Sequence, residues 1–567
     1  MRHASRFALA LAATLAPTLS LAQDQGTQPG ALRHPLQPAD SCAECHSGGT
    51  TGAGERYMAH DTWVTSMMAN AARDPLFLAT VSVAEQESPG IRALCLRCHT
   101  PTAHTNGHAR TGMLDPLAGD LDGVHCDSCH RSVVPTDVPG APFVSNAQLF
   151  FNDSADGIPT RFGPREDPAM SPRHPSAGSA WIRDARLCGQ CHDLTHPTQN
   201  RLSPTGMDLG YRLPLQTTYT EWAQSDFARR ASPETCQSCH MPLADPMNGL
   251  RAARIPGVPM RTNLRRHDLM GANAWGMDLL REAFPGERDD EFRAARTRIE
   301  AYLRTAARVE VTQAPTAGRA GERASITVRV TNLSGHKLPT GYEDARVMWL
   351  QVQVGDRVVS GAFTNDELVE DPQARVYRLQ LGRMENGRAV PNDFVVRHSV
   401  ILEDTRIPPL GMRATRETEP VGRDYTGAEG GALRNYDDAR FELELPQTNG
   451  PVPVTVRLLM RSTTKHYVEA IAGANRSDNR GAELTRLWNA SGRAAPVEVA
   501  SATAMITVSG ATIADAGVTD AGVTDAAVNP PAADDGGCSA RPRAGGRGLG
   551  ALGMLALAAL AARRRAR

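Results

Sequence analysis

The stretch Gly123-Val-His-Cys-Asp-Ser-Cys-His130 contains the pattern that decides the fold: two cysteines separated by two residues, with a histidine directly after the second. The pattern occurs five times in the 567 residues and uses ten of the eleven cysteines. Cysteines three positions apart lie on one side of a helical turn, so both thiols can bond to one haem while the histidine binds its iron. The pattern therefore predicts five covalently bound haem c groups.

The five motifs supply two sets of predicted site residues. The cysteines predicted to hold haem are Cys42, Cys45, Cys95, Cys98, Cys126, Cys129, Cys188, Cys191, Cys236 and Cys239. The predicted proximal iron ligands are His46, His99, His130, His192 and His240. Disulfides or zinc sites are the alternatives for such cysteine pairs, but neither requires a histidine after every second cysteine.

Four of the cysteine motifs and four other short motifs follow one another along the chain in a characteristic order. They are Trp63-x-x-Ser66, Ala71-x-Arg73-Asp74-Pro75, CLRCHTP, GVHCDSCH, LCGQCHD, Thr220-Glu221-Trp222-x-x-Ser225, CQSCHMP and Arg266-His267-x-x-x-Gly271-Ala272-Asn273. Between residues 42 and 273 the chain thus resembles multihaem cytochromes of the cytochrome c-552/c-554 class. The resemblance implies closely stacked haems and electron transfer.

Sixth iron ligands are expected among the remaining histidines. His174 and His267 are favoured by their position and by the resemblance. His336 lies in GHKLPTG, which resembles a motif of multihaem cytochromes that carry an added β domain. Further distal candidates are His34, His60, His104, His108 and His125, and alternative thioether ligands are Met67, Met68 and Met241. His125 adjoins Cys126, so it would serve a neighbouring haem.

One absence indicates catalysis. Related multihaem enzymes often have a histidine two residues after the serine of Trp-x-x-Ser, and neither Ser66 nor Ser225 is followed by one. One haem is therefore expected to be five-coordinate or bound by methionine.

The spacing of apolar residues changes in the second half of the chain. Residues 289–307 have the spacing of a linker helix, and after them the period is two. Strands are predicted at 325–331, 347–354, 376–381, 394–403, 441–445 and 454–460. The predicted fold is an α-helical, loop-rich pentahaem domain followed by an antiparallel, Ig-like β-sandwich.

Both ends have the composition of processing signals. Arg2 and Arg6 precede an apolar run and a small-residue cleavage site at Ala22, which predicts a signal peptide. The tail combines Cys538, the apolar run 548–562 and an arginine cluster, and it resembles the myxobacterial MYXO-CTERM sorting signal. That resemblance implies surface delivery, cleavage near Cys538 and lipid attachment; a plain membrane anchor is the alternative.

These boundaries give five predicted segments. They are a signal peptide (1–22), the pentahaem cytochrome domain with its linker helix (23–307), the β-sandwich (308–508), a disordered acidic linker (509–537) and the sorting or anchor segment (538–567).

The overall charge excludes one class of partner. Lys and Arg total 61 against 62 Asp and Glu, so a basic nucleic-acid binder is not expected. The sequence predicts an exported cytochrome, periplasmic or at the cell surface, that exchanges electrons with redox partner proteins or other cytochromes. The alternatives are an oxidoreductase acting on a small nitrogen or sulfur compound at one open haem, and a surface binding protein with structural haems.

Overall fold

Short helices form most of the first three hundred residues, because each cysteine motif occupies only a turn or two. The computed structural model describes residues 25–342 and 345–511, so the predicted signal peptide, most of the acidic linker and Cys538 lie outside the described residues. The helices of this half are α1 (Asp40–His46), α2 (Ala59–Trp63), α3 (Pro75–Glu87), α4 (Arg92–His99), α5 (Pro101–Thr105), α6 (His108–Thr111), α7 (Cys126–His130), α8 (Ala185–Gly189), α9 (Thr218–Ala223), α10 (Asp226–Arg229), α11 (Cys236–His240), α12 (Ala274–Ala283) and α13 (Asp289–Leu303).

Local sequence explains where the longer helices begin and end. Asp74 caps α3, since its carboxylate accepts the Leu76 N–H at 2.9 Å, and Pro75 occupies the first helical position. The predicted linker helix is α13, which buries Phe292, Ile299 and Leu303 on one face. It ends before residue 307 because a strand begins there.

Strands dominate the rest of the chain, although six also lie in the first half. The strands are β1 (Arg161–Gly163), β2 (Ser176–Gly178), β3 (Leu194–Leu202), β4 (Asp208–Gln216), β5 (Leu250–Arg251), β6 (Met260–Arg261), β7 (Ala307–Gln313), β8 (Ala317–Arg319), β9 (Arg323–Asn332), β10 (Val347–Val354), β11 (Arg357–Ser360), β12 (Phe363–Thr364), β13 (Glu367–Leu368), β14 (Val376–Tyr377), β15 (Leu379–Glu385), β16 (Arg388–Pro391), β17 (Val400–Asp404), β18 (Tyr436–Glu444), β19 (Gly450–Arg461) and β20 (Val497–Ser509). Two helices, α14 (Lys465–Ala474) and α15 (Arg480–Ala490), precede β20.

Two sheets of the strand-rich region share one hydrophobic core. One has the order β11–β10–β19–β20–β8, with β14 paired to β10, and the other has the order β18–β9–β7. Alternate residues of β9, such as Ile326, Val328 and Val330, pack in the same buried cluster as Leu350 and Val456 of the first sheet. The period-two pattern thus places one face of each sheet in the core. The pairing is not wholly antiparallel, since β20 and β8 run parallel.

A third sheet links the two halves of the chain. Its order is β16–β15–β17–β3–β4, and β17 pairs in parallel with β3 at Val400 and Leu202. The nine-residue strands β3 and β4 were not expected in a region predicted to be helices and loops. Sequence period missed them because they form an irregular ladder with several register shifts, so neither strand alternates cleanly.

Helices of the two halves also pack together. Ala79 and Val83 of α3 share a buried cluster with Tyr467 of α14 and with Leu484 and Trp488 of α15. The described residues fall in one compact unit. The change of sequence pattern near residue 307 therefore marks a change of secondary structure within continuous packing.

One predicted strand is wrong at its start. Residues 394–399 do not continue β17 toward the N-terminus, because Val395–Arg397 form a turn of 3₁₀ helix. His398 follows this turn, is buried, and donates from Nε2 to the Asn392 carbonyl at 2.7 Å. This buried hydrogen bond stabilises the turn at the expense of the strand.

Apolar packing in the first half is divided into small clusters. Examples are Trp63 with Ala39 and Ala69, and Leu36 with Phe151, each in a cluster of a few buried residues. These clusters surround an internal cavity instead of forming one core. Among the described residues, no helix is long and apolar enough to span a bilayer.

Candidate functional site

All five cysteine motifs meet at a single cavity with a volume of 2120 Å³. The ten motif cysteines and five motif histidines all line it. Motifs that are almost two hundred residues apart in sequence thus face the same space. A group that fills this space would replace the apolar core that the first half otherwise lacks.

The motif backbones place each pair of thiols on one side of a turn. Helices α1, α4, α7 and α11 end on the motif histidine. In the fourth motif α8 ends at Gly189, and the turn is completed by the His192 N–H, which donates to the Cys188 carbonyl at 2.9 Å. All ten described cysteines carry free thiols. Each motif therefore offers two thiols and one imidazole to the cavity, which fits covalent attachment of haem.

Four of the five motif histidines are oriented by a hydrogen bond from Nδ1 to a backbone carbonyl. His46 donates to Ala252 at 2.9 Å, His130 donates to Phe162 at 2.6 Å, and His240 donates to Met270. His99 makes a longer bond of 3.4 Å to Ala71. Such a bond fixes the tautomer and leaves Nε2 available for a metal.

Burial favours the neutral form of four of the motif imidazoles. Loss of hydration lowers the pKa of His99 and of His192 to about 4, and it lowers the pKa of His46 and His240 as well. A neutral imidazole has the nitrogen lone pair that metal binding needs. Burial also raises the pKa of Cys95 to about 12 and that of Cys129 to about 11, so the surroundings of these sulfurs suit a neutral thioether.

Two motif histidines face a second histidine across the cavity. The ring centres of His130 and His267 are 6.2 Å apart, and those of His240 and His336 are also 6.2 Å apart. Two imidazoles that each bind one metal through a bond of about 2 Å have their centres roughly 6 Å apart. The spacing of both pairs therefore suits two axial ligands of one iron.

The other candidates for a sixth iron ligand each have different surroundings. His174 and His60 both line the cavity within electrostatic range of His46. His60 has a buried Nε2 that makes no hydrogen bond. His34 lines the cavity but binds Asp153 through Nδ1 at 2.9 Å.

His125 has one nitrogen available. It is 2 % exposed and lines the cavity, its Nε2 is hydrogen-bonded with Thr102, and its buried Nδ1 has no partner. His104 and His108 are not among the residues that line the cavity, and His108 binds Asp120 through Nδ1 at 2.5 Å. The alternative thioether ligands Met67, Met68 and Met241 all line it.

Three motif histidines have no facing imidazole at this spacing. Ring contacts within residues 25–342 and 345–511 give no such partner for His46, His99 or His192. The ring of Phe77 instead stacks on His99, with centres 3.5 Å apart and planes 3° apart.

Contacts between thiols connect the motifs to one another. The thiol of Cys42 in the first motif lies close enough to that of Cys126 in the third to shift its pKa. In the fourth motif Cys191 is close in the same way to Cys98 of the second, and Cys188 to Cys236 of the fifth. Cys129 of the third motif lies within electrostatic range of both Cys188 and Cys191, so the five motifs form one connected series.

Sequence reasoning missed several residues that shape the site. Arg265 donates to the carbonyls of Gln237, Ser238 and Met241, and it thereby fixes the C-terminal end of α11. Gly335 packs so closely on Trp222 that an added Cβ would lie 3.2 Å from Trp222 Cδ1. Neither contact has a sequence signal beyond the residue type, because both join segments far apart in the chain.

Comparison with known proteins supports a cytochrome. The family described as cytochrome c554 and c-prime matches residues 41–131. No curated protein matches the chain significantly. Among solved structures, a penta-heme cytochrome c552 from Thermochromatium tepidum is similar with 17 % identity and a TM-score of 0.45, over 83 % of this chain and 98 % of that one. A sporulation control protein from Bacillus subtilis has 11 % identity and a TM-score of 0.13, over 36 % of this chain and 50 % of that one.

The family match covers the first three motifs. Together with the convergence of all five motifs on one cavity, it supports a multihaem c-type cytochrome.

Proposed function

We propose that this protein is an electron-carrying cytochrome that binds five haem c groups, one at each cysteine motif. The observation that carries the proposal is the convergence of the ten motif thiols and the five motif histidines, four of them oriented by a hydrogen bond, on one cavity. Bound haem iron accepts and releases single electrons, and the protein controls its potential through axial ligands and burial. The residues of this chain attach the groups, orient the imidazoles and exclude water.

The connected series of motifs supports transfer between haems. The thiol contacts run from the first motif to the third, and from the fourth to both the second and the fifth. Groups held by neighbouring thiols lie close together, and this closeness is what passage of electrons through the protein requires. We propose redox proteins or other cytochromes as the partners at the ends of the series, which are the first, second and fifth motifs.

The axial pairs that the geometry favours are His130 with His267 and His240 with His336. For the haem of the first motif, His174 and His60 are the two alternative candidates for the sixth ligand, because both lie near His46. His125 is the proposed ligand for a haem other than its own, through its unpartnered Nδ1.

A second function is favoured by the surroundings of His99 and His192. Since neither faces an imidazole among the described residues, an open iron position at one of them would permit reduction or oxidation of a small nitrogen or sulfur compound. Spectra with and without CO or NO separate the two functions. A carrier with every iron six-coordinate binds the gas only weakly, because the gas must displace a histidine, whereas an enzyme binds it readily at one haem.

For the strand-rich region we propose a β-sandwich, supported by the core that the two sheets share. Its contribution to the site is the loop after β9, which carries His336 to the cavity.

We expect the purified, exported protein to contain five haems per chain. The reason is that five complete motifs line the cavity and all their thiols are free. Intact mass of the denatured protein counts covalent haem, and a pyridine haemochrome assay gives the same ratio independently. Fewer than four haems per chain would contradict the proposal.

We also propose export and a processed C-terminal tail. Arg2, Arg6 and the apolar run after them favour a signal peptide, and Cys538 with the terminal arginines favours a sorting signal over a plain anchor.

Substituting Cys538→Ala is expected to leave the tail uncleaved and the protein misplaced, because the cysteine is the proposed processing and lipid-attachment point. Mature mass and cell fractionation measure both effects. A Ser539→Ala variant is the matched control and should be processed normally. If Cys538→Ala has the mass and location of the wild type, the tail is a plain anchor.

A further inference from the structure

Four charged side chains are completely buried directly behind His336. They are Glu221, Lys337, Asp404 and Arg406, and none is more than 3 % exposed. None of the four lines the cavity, whereas His336 and Leu338 on either side of Lys337 do. The loop therefore directs His336 into the cavity and Lys337 away from it.

The four side chains neutralise one another in a closed network. Lys337 Nζ lies 2.6 Å from Asp404 Oδ2. Arg406 bridges the two acids, with Nε 2.8 Å from Asp404 Oδ1 and an Nη 3.0 Å from Glu221 Oε1. Two cations and two anions give no net charge, which is the condition for keeping such groups out of water.

The network joins segments that are distant in sequence. Glu221 belongs to α9, between the fourth and fifth cysteine motifs; Lys337 follows β9; Asp404 ends β17, and Arg406 follows it. It thus ties the haem-motif half of the chain to the strand-rich half at the point where His336 reaches the cavity.

Hydrogen bonds transmit this fixed position to His336. The Lys337 N–H donates to Glu221 Oε2 at 3.0 Å, and the Thr340 hydroxyl donates to the same oxygen at 3.3 Å. The His336 carbonyl accepts from Asn332 Nδ2 at 2.8 Å and from the Ser334 hydroxyl at 3.0 Å.

The imidazole itself is oriented in the same way as a metal ligand. His336 Nδ1 donates to the Lys337 carbonyl at 3.0 Å, which leaves Nε2 available for a metal, and the ring centre lies 6.2 Å from that of His240. The peptide group that follows His336 is held at both its carbonyl and its N–H.

We propose that Glu221, Lys337, Asp404 and Arg406 are positioning residues that hold His336 in place as the axial ligand opposite His240. The inference rests on the proposed function, because it assumes a haem on the fifth motif. A buried charge network costs desolvation energy that an apolar cluster would avoid. The network also holds its side chains in a fixed geometry. A ligand on a loop between two halves of the chain needs that property.

The test is Glu221→Gln in the haem-loaded protein. The substitution keeps the size and an oxygen acceptor but removes the charge that balances Arg406. We expect five haems per chain as in the wild type, with His336 bound less firmly. The apparent affinity of the ferrous protein for CO at this haem should rise roughly tenfold, which corresponds to about 1.4 kcal/mol in the ligation equilibrium.

Asp437→Asn is the matched control. Asp437 is 5 % exposed and pairs with Arg375 at 2.5 Å, and neither residue lines the cavity. It should lower the stability of the strand-rich region and leave CO affinity and the EPR spectrum as in the wild type. If Glu221→Gln does not yield loaded protein, Glu221→Asp keeps the charge, shortens the reach, and should give a smaller shift in the same direction.

Two outcomes would overturn the inference, and both differ from failure of the proposed function. CO affinity and EPR signals equal to the wild type in both Glu221 variants, with five haems present, would show a purely structural network. Equal changes in Glu221→Gln and Asp437→Asn would show a general effect of destabilisation. A missing fifth haem in the unaltered protein would instead contradict the proposed function.

Discussion

Replacing both Cys188 and Cys191 by alanine is expected to remove one haem and to interrupt electron exchange among the remaining four. The fourth motif is the centre of the series, because Cys191 lies near Cys98, Cys188 lies near Cys236, and Cys129 lies near both Cys188 and Cys191. Without its haem, the second and fifth motifs lose their connection to the third.

The same substitution should also reduce the yield of folded protein. The first half packs its apolar residues in small clusters around the cavity, so the binding energy of each haem is also folding energy. Intact mass reports the lost haem, circular dichroism during thermal unfolding reports the lost stability, and stopped-flow reduction reports the interrupted exchange.

The first motif supplies the matched control. Its Cys42 contacts only the third motif among the thiol contacts described above, so it lies at an end of the series. Cys42→Ala with Cys45→Ala should also remove one haem, while the other four are reduced at the rate of the wild type. If the fourth-motif variant shows equally fast reduction of its remaining haems, electrons do not pass through that motif.

The attachment residues could be predicted from the sequence because each motif is local. Two thiols and a histidine within five residues need only one turn of backbone, and the structure places all five such turns at one cavity. Strands β9, β10, β14, β15, β17, β18 and β19 were also readable at least in part, since a strand with one buried face alternates with a period of two, whereas β11, β12, β13 and β16 were not predicted. Helix α13 has the corresponding helical period.

Distal ligands were harder to predict because they are defined by contacts across the chain. His267 faces His130 from more than a hundred residues away, and His336 faces His240 from the strand-rich half. His108 has a sequence position similar to that of other candidates, yet its Nδ1 is bound to Asp120 and it does not line the cavity. A single sequence gives no signal that separates such cases.

The network of buried charged side chains could not be predicted from the sequence. Glu221 belongs to a recognised Thr-Glu-Trp motif and Lys337 to GHKLPTG, but nothing in either segment indicates that the two meet. Glu221 and Lys337 meet because β17 and the loop after β9 pack on α9. This packing brings together segments that are distant in the sequence. The same is true of β3, whose partner strand β17 lies about two hundred residues further along the chain, and of β4, which joins this sheet through β3.

Substituting His336→Ala is expected to convert one haem from low-spin to high-spin and to open it to CO. The imidazole lies 6.2 Å from that of His240, its Nδ1 is held by the Lys337 carbonyl, and burial lowers its pKa to about 4, so it is neutral at pH 7. Alanine removes the ligand and leaves its space within the cavity. We expect one haem per chain to change its spin state and to bind CO, as measured by EPR and by CO difference spectra.

His398→Ala is the matched control for this substitution, because His398 is also a buried histidine of the strand-rich half with a pKa lowered to about 4 by burial, but it does not line the cavity. It should leave both spectra unchanged. Added imidazole should restore the low-spin signal of His336→Ala, since a free ligand can then occupy the vacated position. If His336→Ala retains five haems and a wild-type spectrum, the histidine is not an axial ligand. The loop after β9 would then serve only to join the two halves of the chain through Glu221 and Lys337.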